Sequence, residues 1–502
     1  MAALIRLVAL VFALIRTDAL MPREVEAGLS PGARWLARGL HLFSGRAARR
    51  GRPGERLAGV LERQGPAAIK FGQFLSTRGD MVGAQFALDL GRLKDRLAPF
   101  PADVAKRAIE TALGQPLSTL FSTFTDTPVA AASLAQVHAA TLLDGRAVAV
   151  KVLRPGIERR VAEDVALLTG LAGLAERFAP VARRLDPQAF AGIIARALRL
   201  ELDLRFEAAG ADELRDAMAA DGLMSAPRVV WEGVARRVLT LEWVDALALS
   251  DSAALARTGV DRPALARRLI QAFLAQVLDH GVFHADLHEG NLFVGPGGEL
   301  IAVDFGIIGR LDARERRFLA EILWGFLRRD YGRVAAVHFE AGYVPQTQDP
   351  AAFAQALRAV GEPVVGRAAR DVSMSRLLTQ LFEITALFEM RLRPELVLLQ
   401  KTMATVEGVA RGIDPEHDIW SASEPIVRRW ITRELAPTAR LRGLAAEVRA
   451  AAEGLSRLAR PTDAVMPPPE KVKASSSAPP WLLLLCGAAV VALSFAAGAM
   501  MR

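Results

Sequence analysis

Cysteine is almost absent: the 502-residue chain holds one, Cys486. A single thiol excludes an intramolecular disulfide and a zinc cluster of the Cys–His type, and it agrees with a reducing compartment. Lysine is nearly as scarce. Of 63 basic residues only seven are Lys, at positions 70, 94, 106, 151, 401, 471 and 473. An arginine- and alanine-rich genome explains most of that bias, so a Lys in a chemically telling place carries extra information. Nucleic-acid reader motifs and aromatic–basic stripes are missing too. The net charge of +8 and the pI near 10.2 therefore point away from nucleic acid and towards nucleotides or lipid headgroups. No repeat of solenoid period is visible. The chain is 52% hydrophobic with a mean hydropathy of +0.23, which excludes disordered and collagen-like classes.

The apolar residues are concentrated at the two ends. Residues 481–501, WLLLLCGAAVVALSFAAGAMM, carry no charge. A helix of about 21 residues spans roughly 30 Å, one bilayer core, so a transmembrane helix is expected there. A Pro/Ser-rich linker, 466–480, precedes it and contains Lys471 and Lys473; Arg457 and Arg460 lie upstream and only Arg502 follows. The positive-inside rule then puts the body on the cytoplasmic side of an inner membrane, with a single-pass C-terminal anchor. At the N-terminus, 1–20, the apolar run Leu7 to Ile15 is flanked by Arg6 and Arg16 and is too short to span. That segment reads as a helix lying on the membrane surface or packed on the body.

Between the ends the texture is α+β. Residues 21–115 read as helical, punctuated by Pro22, Pro31, Pro53, Pro66 and Pro99. After Pro116, Ala147 to Val150 reads as a strand running into Lys151, and Val238 to Val244 as another. Residues 262–280, 312–330 and most of 350–465 read as helices. A few strands followed by many helices is the α+β pattern.

The chemistry lies in short motifs. His284, Asp286 and Asn291 have H-x-D-x-x-x-x-N spacing, and an apolar strand soon afterwards runs into Asp304-Phe305-Gly306. Phosphoryl transfer asks the protein for positioning and charge neutralisation rather than covalent chemistry. Asp286 is placed to orient the attacking oxygen, while Asn291 and Asp304 offer the oxygen donors that Mg²⁺ prefers. His284 and His288 read as hydrogen-bonding residues rather than metal ligands. Lys151, ending its strand, suits a lysine that reaches the α/β-phosphates, with Glu207 as the carboxylate that holds it. No G-x-G-x-x-G precedes Lys151. The corresponding stretch is Val129-Ala130-Ala131-Ala132-Ser133-Leu134-Ala135-Gln136-Val137. Its alanines add Cβ atoms and stiffen a loop that would otherwise close over phosphates, so an altered nucleotide pose is expected; Ser133 could hydrogen-bond a phosphate.

Taken in order, KFGQ at 70–73, AAASLAQVH at 130–138, VAVK at 148–151, ELD at 201–203 with Glu207, HADLHEGN at 284–291 and DFG at 304–306 resemble the ABC1/UbiB/COQ8 (ADCK) family of atypical kinase-like ATPases, and the anchored C-terminus suits its bacterial UbiB branch. The likeness covers about residues 20–430. It implies a two-lobed kinase-like fold: a helical KxGQ extension at 21–115, an N-lobe at 116–245, a helical C-lobe at 246–430 and a further helical segment at 431–465. It implies that ATP lies under the Ala-rich stretch 129–137, with Lys151 paired to Glu207. Glu242, Trp243 and Val244 would form the adenine hinge, Asp286 the proton acceptor, and Asn291 and Asp304 the Mg²⁺ ligands. Lys70 would pair with Glu201, with Gln73 and Asp203 completing that regulatory cluster over the nucleotide site. The implied function is support of ubiquinone biosynthesis at an anionic membrane, with polyprenyl quinone precursors and other quinone-biosynthesis proteins as partners. Older family naming as a 2-polyprenylphenol hydroxylase has no flavin or iron site here to support it. A small-molecule phosphotransferase of the aminoglycoside or choline kinase type shares H-x-D-x-x-x-x-N but lacks KFGQ and the Ala-rich loop.

The sequence departs from the family in several places. One C-terminal span is counted where two are common. Leu287 and Glu289 stand where prolines often flank the His, Gly210 where Asn or Cys is usual, and no Ala-Pro-Glu follows DFG.

Overall fold

The computed structural model describes residues 10–434 apart from 20–21, 25–30, 46–50, 65, 77–83, 92, 94–97, 179–186, 258, 364–379, 381–382, 385–386 and 391–393. It begins with a helix at 10–16, followed by α1 (Pro31–His41), α2 (Pro53–Gln64), α3 (Pro66–Ser76), α4 (Ala84–Leu90) and α5 (Ala102–Leu113). The N-terminal helix packs on the body: Leu14 is buried with Ala37 of α1 and Val60 of α2. Behind it Asp18 is buried between His41, 3.1 Å away, and Arg56, 3.6 Å away.

The N-lobe sheet follows. Its strands are β1 (Phe121–Phe124), β2 (Ala130–Ala131), β3 (Ala135–Leu142) and β4 (Ala147–Leu153); after α6 (Ile157–Phe178), α7 (Pro187–Glu201), α8 (Leu204–Ala219) and β5 (Met224–Ser225) comes β6 (Val238–Glu242). The order is β1-β3-β4-β6, antiparallel, with β2 on β3. Alternation along β4 decides which way Lys151 points. Val148, Val150 and Val152 are fully buried with Ala105 and Ile109 of α5. Successive strand residues face opposite sides, so Ala149 and Lys151 turn to the other face, towards α8.

The C-lobe contains β7 (Leu247–Ala248), α9 (Ser252–Arg257), α10 (Arg262–Ala275), β8 (Val282–His284), β9 (Leu292–Val294), β10 (Leu300–Ala302) and β11 (Ile308–Arg310). Next come α11 (Ala313–Leu327), α12 (Tyr331–Glu340), α13 (Pro350–Gly361), α14 (Pro394–Ile413) and α15 (Ile419–Glu434). The start signals are local. Asp261 caps α10 ahead of Pro263, and Asp312 and Glu315 form a reciprocal capping box on α11. One large core joins both lobes, running from Leu214 and Met218 of α8 through Leu269 and Phe273 of α10 to Val406 and Ala410 of α14. The strand expected at 147–151 and the helix at 262–280 are present, although 276–280 winds as a π turn; the strand expected at 238–244 ends at Glu242, and the helix at 312–330 runs from Ala313 to Leu327. Among the described residues no helix is long and apolar enough to cross a membrane. The expected span 481–501 and the linker 466–480 lie outside the described residues.

Candidate active site

Glu207 sits in the first turn of α8, on the face made by Leu204, Ala208, Ala211 and Leu214. A carboxylate on an apolar face needs a partner, because desolvation penalises the charge. Lys151 supplies it, with Nζ donating to Oε1 at 2.7 Å and to Oε2 at 2.9 Å. The same ammonium lies 3.3 Å from Asp304 Oδ1. Burial disfavours the Lys151 charge, but Asp304 and Glu207 outweigh it and hold its pKa above the ordinary lysine value. Burial pushes the Glu207 carboxyl upward while the Lys151 charge pulls it back.

The segment 282–291 is tied down almost atom by atom. β8 pairs antiparallel with β11, and the Ala285 N–H donates to Ile307 O at 3.0 Å. His284 is fully buried; its Nδ1 accepts from the Asp286 N–H at 3.1 Å and its Nε2 faces Val303 O at 3.1 Å. Those bonds require the neutral ring protonated at Nε2, and burial lowers the His284 pKa accordingly. Asn291 Nδ2 donates to Asp286 O at 3.0 Å, which leaves Oδ1 as the atom able to serve as a ligand. His288 Nδ1 accepts from the Gly290 N–H, so both histidines are hydrogen-bonding residues as expected.

The Asp-Phe-Gly turn is set from below. Phe305 is buried in the main core, its ring centroid 5.2 Å from that of His284. Asp304 takes φ +63, a left-handed conformation that Asp tolerates better than most residues. With the Phe inside, the carboxylate faces Lys151. Gly210 of α8 lets this turn approach: a Cβ there would lie 2.9 Å from Ile308 Cγ1 and 3.5 Å from Phe305 O. The departure at 210 is thus a close-packing requirement of this chain.

The Ala-rich stretch divides. Val129 is exposed and Ala130 to Ala132 are open or half-open, whereas Ser133, Leu134, Ala135 and Gln136 are buried. Gln136 corrects the reading of 129–137 as one phosphate-facing loop. Its Oε1 accepts from the Phe100 N–H at 3.0 Å, and its Nε2 contacts Phe100 O and His138. Sequence pattern could not show this, because strand alternation turns Gln136 inward only once β3 is paired. Arg154, unnoticed in the sequence, holds the loop: its guanidinium donates to Ala132 O at 2.8 and 3.0 Å and to Ala98 O at 3.0 Å. Of the expected adenine hinge, the Trp243 N–H donates to Ala147 O at 3.0 Å, and the Glu242 carboxylate lies 3.5 Å from Arg146 and 3.6 Å from Arg228. Val244 follows, half-buried.

In the KFGQ region, α3 packs on α6 and α7, and Phe71 reaches the main core. Gly72 instead admits Leu93 and Leu61 of the extension itself, since a Cβ would meet Leu93 Cδ1 at 2.2 Å and Leu61 Cδ1 at 2.7 Å. Gln73 is half-buried on α3. Glu201 ends α7, while the Lys70 side chain, and so the expected Lys70–Glu201 pair, falls outside what the structure describes. Asp203 caps α8 by accepting from the Arg205 N–H and pairs with the Arg205 guanidinium at 2.6 Å; that bond lowers its pKa.

Among the described residues no cluster of three or more His, Cys, Asp or Glu could hold a metal alone. Asn291 and Asp304 are oxygen donors of the kind that Mg²⁺ takes alongside substrate phosphates, and could serve as its protein ligands.

Lys401 is the residue that sequence reasoning missed. It lies on α14, with Nζ 3.4 Å from Asp286 Oδ1. Its rarity as one of seven lysines was the available signal; no local motif surrounds it.

Known proteins resemble this chain. A protein of Marinobacter nauticus described as a probable protein kinase UbiB is 40% identical over 395 residues, 78% of this chain and 72% of the relative. The chain belongs to the UbiB family. A probable protein kinase UbiB of Xylella fastidiosa is likewise 40% identical, over 397 residues. Residues 92–338 match the ABC1 atypical kinase-like domain and 357–418 the UbiB helical domain. The first match contains Lys151, Glu207, Asp286, Asn291 and Asp304; the second contains Lys401. Among solved structures, that of the Mycobacterium tuberculosis protein Rv3197 in complex with erythromycin is 25% identical, with a TM-score of 0.52, covering 73% of this chain and 93% of that one. The kinase-like fold expected for the UbiB family is therefore the fold of this chain.

Proposed function

We propose that this UbiB-family protein is an ATP- and Mg²⁺-dependent kinase-like ATPase that supports ubiquinone biosynthesis at the inner membrane, aiding access to or processing of polyprenylphenol precursors. The observation that carries the reading is the assembled pair Lys151–Glu207 with Asp304 turned onto the same ammonium. A kinase site needs that ion pair and that aspartate in place together. Lys151 orients the phosphates; Asp286 takes the proton of the attacking oxygen. Asn291 and Asp304 would hold Mg²⁺, which would supply charge neutralisation at the phosphates. The helical extension packed on the body by Phe71 favours a small or lipid-derived acceptor, or water, over an extended peptide. Exposed Trp35, Leu42 and Phe43 on and after α1, with the apolar run 481–501, support apposition to an anionic bilayer and contact with other quinone-biosynthesis proteins there.

Mg²⁺-dependent ATP turnover by full-length protein on anionic liposomes tests this reading. Asp286→Asn and Lys151→Ala are each expected to lower turnover by about 100-fold or more. Equal rates for these variants and wild type would place the chemistry elsewhere. Quinone-precursor accumulation in cells carrying Asp286→Asn is the corresponding readout in vivo.

A further inference from the structure

Phosphoryl transfer spreads negative charge over three equatorial oxygens of the moving group, and cations aimed at them stabilise the transition state. Lys151 is already shared between Glu207 and Asp304. The loop HADLHEGN itself contains no Lys or Arg. Its His288 lies 3.8 Å from Asp286 Oδ2 on one side of the carboxylate. On the other side stands Lys401, 115 residues away in the chain, with Nζ 3.4 Å from Oδ1.

This ammonium is held in place by its helix. The next residue, Thr402, is fully buried and donates from Oγ1 to Ala285 O at 3.0 Å, joining α14 to the backbone beside Asp286. At the far end of α14, Arg262 donates to Ile413 O at 2.8 Å and to Gly412 O at 3.1 Å. Leu399, Val406, Val409 and Ala410 fix the helix in the core. Lys401 and Asp286 themselves stay partly open, with side chains 29% and 33% exposed, so both can meet a ligand.

We infer that Lys401 is a further catalytic residue: its ammonium rests on Asp286 and moves onto the terminal phosphate oxygens of bound ATP, stabilising that group as it transfers. This rests on the proposed ATPase reading. In the step, an attacking water or hydroxyl oxygen forms a bond to the terminal phosphorus and its proton passes to Asp286. The bond from that phosphorus to the bridging oxygen breaks, leaving the electron pair on ADP. Lys401 changes no bond; it follows the charge.

The test uses full-length protein on liposomes with Mg²⁺ and compares Lys401→Met and Lys401→Arg with wild type. Lys401→Met is expected to lower kcat about 100-fold, as loss of a charge-stabilising donor does. It should weaken ATP binding while leaving ADP binding within about twofold, since ADP lacks the group that Lys401 meets. Lys401→Arg, which keeps the charge, should recover part of the rate. Two results would overturn the inference. One is turnover by Lys401→Met within threefold of wild type while Asp286→Asn is inactive. The other is equal weakening of ATP and ADP together with a lowered Tm, which marks a structural role. Should Asp286→Asn and Lys151→Ala both turn over at the wild-type rate, the ATPase reading itself fails, an outcome distinct from either.

Discussion

At the scale of single residues, the site shows how a buried ion pair sets cost without adding much stability. Lys151 and Glu207 are drawn out of water, and their attraction mainly offsets that desolvation. Removing Lys151 leaves the Glu207 carboxylate buried without its cation, whereas removing Glu207 leaves Lys151 beside Asp304. Lys151→Met alone is expected to cost about 3–5 kcal/mol in denaturant unfolding. The double variant Lys151→Met/Glu207→Leu should regain most of that loss and remain inactive, so stability and turnover separate. A double variant as unstable as the single one would show that packing, rather than charge, dominates.

His284 makes a pH prediction. Its folded pKa lies below its unfolded value because burial disfavours the charged ring. The unfolded chain therefore binds more protons once the pH falls below about 6.5, and stability declines from there towards the folded pKa. His138 and His338 are shifted the same way by burial and add to the decline. The diagnostic quantity is thus the difference between proteins. His284→Asn should be less stable at pH 7.5 but lose less Tm than wild type between pH 7 and about 5. Identical slopes would remove His284 from the acid response.

At the scale of elements, close approach governs how α3 sits. Gly72 faces Leu93 and Leu61, both within 2.7 Å of where a Cβ would stand. Ala at 72 improves helix propensity by up to about 1 kcal/mol, yet overpacking costs about 1–3 kcal/mol. Gly72→Ala is expected to destabilise the extension on balance, seen as faster proteolysis of the region before α5 while the kinase-like body stays protected. Unchanged proteolysis and Tm would mean that Leu93 swings away freely. The motif KFGQ was legible as a motif, but why its third residue is Gly was not: the side chains that crowd it come from α2 and from the segment after α4. Likewise Gln136 matched a family motif, yet its role in holding the Phe100 backbone depends on the packed lobe bringing together residues 36 apart.

At the scale of the molecule, the proposed membrane anchoring makes a prediction. The apolar run 481–501 follows a linker with two lysines. Deleting 481–502 is expected to move most of the protein from the membrane pellet to the supernatant. Full retention would transfer the anchoring role to the exposed apolar side chains of the helical extension. The +8 charge is compatible with either surface meeting anionic lipid.

What the sequence determined by itself were the groups that must be near one another in the chain or that repeat with local period. The loop His284–Asn291, the turn Asp304–Gly306 and the alternation that aims Lys151 are of this kind, because strand period and turn chemistry are local properties. Only the tertiary structure decided the partners that arrive from afar. Glu207 was a candidate partner for Lys151 in the sequence, and it reaches that lysine because α8 packs against the neighbouring strand β6. Lys401 and Thr402 come to the Asp286 segment from a helix more than a hundred residues away, and Arg154 reaches back across the Ala-rich loop to Ala98. Such contacts are written in the burial of whole helix faces, which many sequences satisfy, and so only the packed chain reveals which charge each helix delivers.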